Sequence, residues 1–266
     1  MPRIKRSQTE QTLADEAGAE FLEALARGLR VIEAFGRDRR WLTLSDVARL
    51  VDLPRASVRR TLFTLVKLGF AERDDRLFRL TPRILGLAGA YLSSNAVTDT
   101  VQPALDRLSE EIGEACSAAV LDGQDVVMIA HASPNRMLAV SAQVGLRLPA
   151  LSTSLGRVLI AALDDKQVDA WLARARVTKL TPSTVTDKAG LRRAIMQARS
   201  DGFAIADQEA ESGFRSISVP LKRRDGRTIA ALNVGVHTER VPLGAMRKVF
   251  LPRLRALSET LTTQLL

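Results

Sequence analysis

Trp41 to Leu80 reads WLTLSDVARLVDLPRASVRRTLFTLVKLGFAERDDRLFRL. Thr43, followed three residues later by Asp46, predicts a capped helix start, and apolar residues recur after it at helical spacing. The pattern then breaks, and a second helix is predicted to begin with Pro54 in its first turn and to end at Gly69. Two short helices joined in this way predict a helix-turn-helix.

The residues that follow the second helix predict a β-hairpin. Phe70 to Arg73 and Arg76 to Leu80 have the composition of short strands, and Asp74-Asp75 has the composition of the turn between them. A hairpin placed directly after a helix-turn-helix is a wing. The stretch therefore predicts a winged helix-turn-helix domain.

Basic side chains are concentrated in this domain. Leu53 to Arg83 contains eight Lys or Arg and three Asp or Glu, a net charge of +5 over 31 residues. We predict that the second helix meets base edges and phosphates in a major groove, and that its last turn and the wing contact phosphates. The predicted DNA-binding residues are Arg55, Ser57, Arg59, Arg60, Lys67, Arg73 and Arg76. The alternative is an ordinary pair of helices with a solvated basic face.

Composition limits the remaining possibilities. The chain has 266 residues, 46% of them hydrophobic, which suffices for two domains. A net charge of +9 favours an anionic partner. One cysteine and two histidines exclude a disulfide framework and indicate neither a zinc site nor any other metal site. We find no export signal or membrane-spanning stretch, so the sequence predicts a cytoplasmic protein that does not bind membranes.

The pattern of helices and strands predicts an α+β chain. After the wing, the chain is predicted to alternate helices with antiparallel strands, including a hairpin at Asp122-Gly123, a strand from Met137 to Gln143 and a helix from Ser152 to Leu163. Pro252 is expected to start or kink a closing helix. The predicted parts are a disordered arm (1–20), the winged domain (21–81), a linker helix (82–96) and an α+β sensor-like domain (97–266).

Catalytic and cofactor signatures are missing from the sequence. It contains no Gly-rich phosphate loop, no GxSxG, no HExxH and no CxxC, and we predict no cofactor. One alternative is an enzyme that uses Asp207 with a hydroxyl of the Ser152 to Ser154 loop. We interpret the carboxylates near Asp207 as a solvated loop, and His131 and Cys116 as core residues.

A more informative segment is LRLPALSTSLGRVLIAAL, from Leu146 to Leu163. A loop rich in hydroxyl side chains enters an apolar helix near Ser152, and the free N–H groups at a helix start form a seat for an anion such as a carboxylate. Arg147 is predicted to add a fixed positive charge. The alternative is plain N-capping by Ser152 or Thr153, with Arg147 in solvent.

Four stretches together resemble the IclR family of bacterial transcription factors, and within it the PcaR/PobR-type branch of aromatic-acid catabolism (the β-ketoadipate pathway). They are SVRRTLFTLVKLGFAERDDRLFRLTPRILGLAGAYLSS, EACSAAVLDG, LRLPALSTSLGRVLIAAL and DQEAESGFRSISVPLKRRDGRTIAALNVGV. The resemblance implies a winged helix-turn-helix, a linker helix and a GAF-like effector-binding domain. It also implies a homodimer or a dimer of dimers on a palindromic operator in double-stranded DNA.

The same resemblance implies which residues bind the effector, a small carboxylic acid of the protocatechuate or 4-hydroxybenzoate type. Carried over by position, they are Met137, Val140, Ser154, Leu155, Asp207, Ser216, Asn233 and Gly235. The leading hypothesis is therefore a ligand-responsive regulator of aromatic-acid catabolic genes. The alternatives are an enzyme acting on a small carboxylic acid and a constitutive DNA-binding protein without an effector.

Overall fold

The chain divides into two units between Tyr91 and Leu92. The computed structural model describes residues 18–36, 38–94, 96–134 and 144–265. The predicted strand from Met137 to Gln143 lies outside the described residues, as do the candidate site residues Met137 and Val140 and most of the predicted arm.

The first unit combines three helices with a small sheet. Its elements are α1 (Glu23–Glu33), β1 (Leu42–Thr43), α2 (Leu44–Leu50), α3 (Arg55–Lys67), β2 (Ala71–Asp74) and β3 (Leu77–Leu80). The predicted capping box at the start of α2 is confirmed: the Asp46 N–H donates to Thr43 Oγ1 and the Thr43 N–H donates to Asp46 Oδ2, both at 3.2 Å. Pro54 lies one residue before its predicted place, as the N-cap of α3.

The predicted wing is confirmed, with its turn displaced by one residue. β3 pairs antiparallel with both β1 and β2. Asp74 was predicted to be in the turn but pairs with Leu77, so the turn consists of Asp75 and Arg76. Asp75 has a φ of +46°, and Asp is among the few residue types with a short polar side chain that tolerate this region.

The apolar stripe of α3 forms the centre of the first core. Val58 and Leu62 are fully buried, together with Val31 from α1 and Val47 from α2. Burial of one face at helical spacing leaves the opposite face of α3 in solvent.

The second unit is built on one six-stranded antiparallel sheet with the strand order β6-β5-β4-β9-β8-β7. The strands are β4 (Ala115–Asp122), β5 (Asp125–Ala132), β6 (Arg147–Pro149), β7 (Ala204–Asp207), β8 (Phe214–Lys222) and β9 (Thr228–His237). The longer helices are α4 (Leu85–Ser94), where the boundary between the units falls, α5 (Ala96–Ile112), α6 (Ser154–Ala161), α7 (Asp165–Arg174), α8 (Lys188–Asp201) and α10 (Leu251–Gln264).

Each face of this sheet buries its own core. One core joins the sheet to α5 and α10 through residues such as Leu105, Ile217 and Leu254, and the other joins it to α6, α7 and α8. This mixed arrangement confirms the predicted α+β class. Within the described residues, no helix is long and apolar enough to cross a membrane.

Two helices differ from their predicted bounds. The helix predicted from Ser152 begins instead with a 3₁₀ turn over Ala150–Ser152 and becomes α-helical at Ser154. The closing helix is interrupted as Pro252 predicted: a short α9 (Leu243–Ala245) leads into a π-helical turn (Met246–Phe250), and α10 follows with Pro252 in its first turn. Proline has no N–H to donate, and it lies in the first turn of α10, directly after the π-helical turn.

Candidate nucleic-acid interface and ligand cavity

The solvent face of α3 carries the predicted DNA-reading residues. Arg55, Arg59 and Arg60 are exposed and Ser57 is half-buried. Lys67 is also exposed and lies over the Phe63 ring at 5.5 Å. Because the buried stripe of the helix belongs to Val58, Leu62 and Leu65, these polar side chains all point away from the core.

Most of these cations are available to a ligand. Within the described residues, the side chains of Arg55, Arg59, Arg60 and Arg76 have no hydrogen bond or ion pair. By contrast, Arg79 on the wing is held by Glu72 and by stacking on the Trp41 ring. Unpaired guanidinium groups on one helix face form the kind of surface that binds phosphates and base edges.

The second unit contains a cavity of about 800 Å³ between the sheet and the start of α6. Its wall is mainly apolar, with hydroxyl, amide, imidazole and carboxylate groups placed among the apolar side chains. The lining includes Ser117, Met128, His131, Leu146, Leu148, Ser152, Leu155, Glu209, Phe214, Ser216, Asn233, Gly235 and Arg240. A concave, mainly apolar cavity with a few polar groups is typical of a small-molecule site.

A row of polar residues crosses the cavity face of the sheet. The register pairs His131 with Ser117, Ser117 with Asn233, and Asn233 with Ser218. Directly paired residues of antiparallel strands point to the same face of a sheet. The strand register therefore brings together four polar side chains that are widely separated in sequence.

Ser154 joins this row to the start of α6. Its Oγ lies 2.8 Å from the hydroxyls of Ser216 and Ser218, and Asn233 Nδ2 donates to it at 3.2 Å. Ser154 is fully buried and is not part of the cavity lining. The structure thus places Ser154 behind the wall, where its hydrogen bonds pin the helix start to the sheet.

The start of α6 combines an N-cap with free donors. The Gly156 N–H donates to Thr153 Oγ1 at 3.1 Å, so the capping alternative is correct for Thr153. Within the described residues, the N–H groups of Ser154 and Leu155 have no partner. Ser152 lines the cavity at 3% exposure, and its hydroxyl also lacks a partner there. The Ser152 hydroxyl and the Leu155 N–H belong to residues that line the cavity, and together they form a seat for an anion.

Arg147 does not reach this seat. It lies on the edge strand β6, where its guanidinium donates to Asp122 at 2.7 Å and to Asp125 at 3.2 Å. The hydrogen bond to Asp122 is the main reason that the pKa of Arg147 is raised above its ordinary value. The pairing of β6 with β5 places Arg147 beside the hairpin acids, so it does not supply the predicted charge.

The carboxylates after β7 also differ from the prediction. Asp207 was carried over as a pocket residue, but it accepts a hydrogen bond from Arg215 at 3.0 Å and is not in the cavity lining. Glu209 was interpreted as solvated and is buried at 7% exposure. Both of its oxygens accept from Arg157, at 2.7 and 2.5 Å, and its side chain lines the cavity.

Sequence reasoning assigned His131 and Cys116 to the core, and only Cys116 is in it. Burial, with a smaller effect of Glu114, raises the pKa of the Cys116 thiol to about 12, so the group is inert. His131 is half-buried and lines the cavity, with Nδ1 3.0 Å from Ser117 Oγ. Burial lowers the pKa of its imidazole, which favours the neutral ring at pH 7. No local pattern in the apolar runs of β4 and β5 marks this pair.

Gly156 is required for the shape of the helix start. A Cβ at this position would lie 2.1 Å from the Ala150 carbonyl oxygen, which is backbone and cannot move aside cheaply. We expect Gly156→Ala to destabilise the second unit by about 1–3 kcal/mol, as overpacking does, and to displace the anion seat. Urea unfolding followed by circular dichroism tests this. Gly244→Ala, where a Cβ meets nothing within 4 Å, is the control, and equal stability of the two variants would contradict the expectation.

Comparison with known proteins gives concordant matches. Residues 24–75 match a family model described as the IclR helix-turn-helix domain, and residues 89–263 match the bacterial transcriptional regulator IclR C-terminal model. The chain is 42% identical to the Pca regulon regulatory protein of Pseudomonas putida, over 99% of this chain and 91% of the relative. It is 34% identical to the p-hydroxybenzoate hydroxylase transcriptional activator of Acinetobacter baylyi, over 89% of each chain.

One similar solved structure contains a ligand. It is an IclR homologue from Microbacterium hydrocarbonoxydans in complex with 4-hydroxybenzoate. The TM-score is 0.74 at 29% identity, with 91% of this chain and 99% of the homologue covered.

Proposed function

The chain belongs to the IclR family of bacterial transcriptional regulators, and we propose that it controls aromatic-acid catabolic genes in response to a small aromatic carboxylic acid bound in the cavity. It is a DNA-binding regulator with a helix-turn-helix domain and a C-terminal domain of the family's effector type. The alternative of an enzyme has no support from the relatives, which are named as regulators.

The observation that carries this proposal is the pairing of an apolar cavity with an anion seat. Met128, Leu148, Leu155 and Phe214 offer apolar surface for a ring. The free N–H group of Leu155 at the start of α6 and the Ser152 hydroxyl offer donors for a carboxylate. The p-hydroxybenzoate relative and the 4-hydroxybenzoate complex support the same chemical class.

The DNA-binding residues follow from α3 and the wing. We propose that Arg55, Ser57, Arg59 and Arg60 meet base edges, and that Lys67, Arg73 and Arg76 contact phosphates. Because one winged unit offers few base contacts, we propose that two or four copies of the chain act on a palindromic operator. Because a bacterial regulator meets DNA in the cytoplasm, we place the protein there.

Regulation requires that the effector bind two states of the protein unequally. The start of α6 carries the anion seat, and Ser154 holds this part of the helix to the sheet by hydrogen bonds. We propose that a carboxylate drawn to this seat favours one position of α6, and that the linker helix α4 passes the change to the winged domains.

Calorimetric titration of the full-length protein with protocatechuate, 4-hydroxybenzoate and β-ketoadipate tests the proposal. A DNA duplex selected by the protein from a random pool is then titrated with and without the tightest ligand. We expect saturable binding of an aromatic acid and a changed affinity for the duplex. Tight DNA binding that no acid changes would indicate a constitutive DNA-binding protein instead.

Ser152→Ala tests the anion seat itself. The substitution removes one donor to the carboxylate, and hydrogen bonds to charged groups are worth about 1.5–3 kcal/mol, so we expect affinity for 4-hydroxybenzoate to fall at least tenfold. Ser200→Ala, on the exposed surface of α8, is the matched control and should bind normally. Unchanged affinity for 4-hydroxybenzoate in Ser152→Ala would mean that the carboxylate does not bind at the start of α6.

A further inference from the structure

We propose that His131, held in place by Ser117, is a specificity-determining residue that hydrogen-bonds the ring hydroxyl of a hydroxylated aromatic acid. This assignment rests on the proposed function, because it names the second polar contact of the same ligand. It gives the cavity two recognition points, one for the carboxylate at the start of α6 and one for a hydroxyl at the opposite end of the polar row.

The His131 ring is fixed before any ligand arrives. Ser117 Oγ lies 3.0 Å from Nδ1 and sets the orientation of the imidazole. The backbone of His131 is clamped by the side chain of Gln102 in α5: the His131 N–H donates to Oε1 at 3.1 Å, and Nε2 of Gln102 donates to the His131 carbonyl at 2.9 Å. Three hydrogen bonds thus hold one cavity residue, which is the preorganisation that a selective contact needs.

The second ring nitrogen of His131 faces the ligand space. Nε2 has no partner within the described residues and is not among the buried unpartnered atoms there, so it is open to the cavity that His131 lines. The imidazole is neutral near pH 7, since burial lowers its pKa. A neutral imidazole nitrogen pairs well with a hydroxyl, which both donates and accepts, and offers little to a second negative charge.

Asn233 adds an acceptor to the same row. Its Nδ2 donates to the Ile217 carbonyl at 3.1 Å, and a carbonyl oxygen only accepts, so the orientation of the amide is determined. Oδ1 therefore lies on the side of the amide group opposite the Ile217 carbonyl, and it has no partner within the described residues. Asn233 lies between Ser154, to which its Nδ2 donates at 3.2 Å, and Ser117, its partner in the strand register. The contact at the far end of the row therefore falls to His131.

The spacing of the two points suits a rigid ring. The carboxylate seat adjoins Ser154, which is bonded to Ser218 and Asn233. In the register, His131 lies two strands from Asn233, or roughly 10 Å across the sheet. A para-hydroxybenzoate holds its carboxylate and its hydroxyl at opposite ends of the ring, and a flexible aliphatic acid does not.

The test compares 4-hydroxybenzoate with benzoate on full-length protein by calorimetry. The wild type should bind 4-hydroxybenzoate at least tenfold more tightly than benzoate. In His131→Asn, the amide reaches the position of Nδ1 but not that of Nε2, so the ratio should fall close to one. In His131→Gln, the longer side chain reaches the position of Nε2 and should retain most of the ratio. Thermal melting of each variant establishes that it is folded.

Different results would contradict the aromatic-acid response and the His131 contact. If the wild type binds no aromatic acid, the proposed function fails. If it binds benzoate and 4-hydroxybenzoate equally, or binds adipate more tightly than 4-hydroxybenzoate, the hydroxyl contact is wrong although a carboxylate site stands. If folded His131→Asn keeps the wild-type ratio of affinities for 4-hydroxybenzoate and benzoate, His131 does not contact the ring hydroxyl. If that variant does not fold, Ser117→Ala takes its place, because it releases the imidazole and should lower the ratio.

Discussion

Replacing Arg59 and Arg60 together with Ala is expected to lower the affinity of the protein for its operator by about 100-fold or more. Each arginine that meets a guanine edge is worth about 1–3 kcal/mol, and every 1.4 kcal/mol is a factor of ten. Both side chains are exposed on α3 and have no intramolecular partner within the described residues. Their removal therefore breaks nothing in the folded chain, and the loss falls on DNA binding.

Fluorescence anisotropy of a selected duplex, repeated over a range of salt concentrations, measures this loss. A lost phosphate contact lowers the slope of log affinity against log salt by about 0.9, while a lost base contact lowers affinity and relaxes sequence preference with little change of slope. We expect Arg59→Ala and Arg60→Ala to show the second pattern, and Lys67→Ala and Arg76→Ala to show the first.

Arg193→Ala is the matched control, since Arg193 is an exposed helical arginine in the second unit. It carries the same loss of one positive charge and should leave DNA affinity nearly unchanged. Each variant should also bind 4-hydroxybenzoate as the wild type does. Unchanged DNA binding in both single variants, Arg59→Ala and Arg60→Ala, would remove α3 as the reading helix.

The winged domain was predictable from sequence because its signals are local. The capping box at Thr43, the helical stripe through Val58 and Leu62, and the paired aspartates of the wing each act within a few residues. The one-residue error in the turn has the same origin. Composition marks Asp74 and Asp75 as equally good turn residues, and pairing with Leu77 decides between them.

The cavity was less predictable because distant strands build it. Ser154 and Asn233 are 79 residues apart, and Arg157 and Glu209 are 52 apart. The resemblance to a family supplied Ser216 and Asn233, but no local pattern shows that β5 turns His131 into the cavity or that Asp207 turns away to Arg215. The direction in which each of these side chains points depends on the register of the sheet, because a shift by one residue moves a side chain to the other face.

The buried pair of Arg157 and Glu209 should dominate the stability of the second unit. Their side chains are 6% and 9% exposed and share two hydrogen bonds, and breaking such a pair by removing one partner costs about 3–5 kcal/mol. We therefore expect Glu209→Leu and Arg157→Met each to destabilise the unit strongly. The double variant should recover most of the loss, because it leaves no uncompensated charge in the interior.

Unfolding in urea, followed by tryptophan fluorescence in a Trp41→Phe background, measures these effects in the intact chain. The remaining Trp171 lies in α7 and donates to the Gly123 carbonyl, so its signal reports on the second unit. The control is the exposed pair of Arg192 and Asp169, which are 2.7 Å apart and partly solvated. Breaking this pair by Arg192→Met should change stability little, because water and salt screen it.

The two single variants of the buried pair should differ in a definite direction. In Arg157→Met, the Glu209 carboxylate still lines the cavity, where water reaches it, and still accepts from the Val185 N–H at 3.3 Å. In Glu209→Leu, the Arg157 guanidinium stays buried. Within the described residues it then keeps only a 3.4 Å contact to the Ile205 carbonyl, and its Nε is already unpartnered there. Loss of Glu209 should therefore cost more than loss of Arg157. The reverse order would mean that water reaches Arg157 from a side other than the cavity.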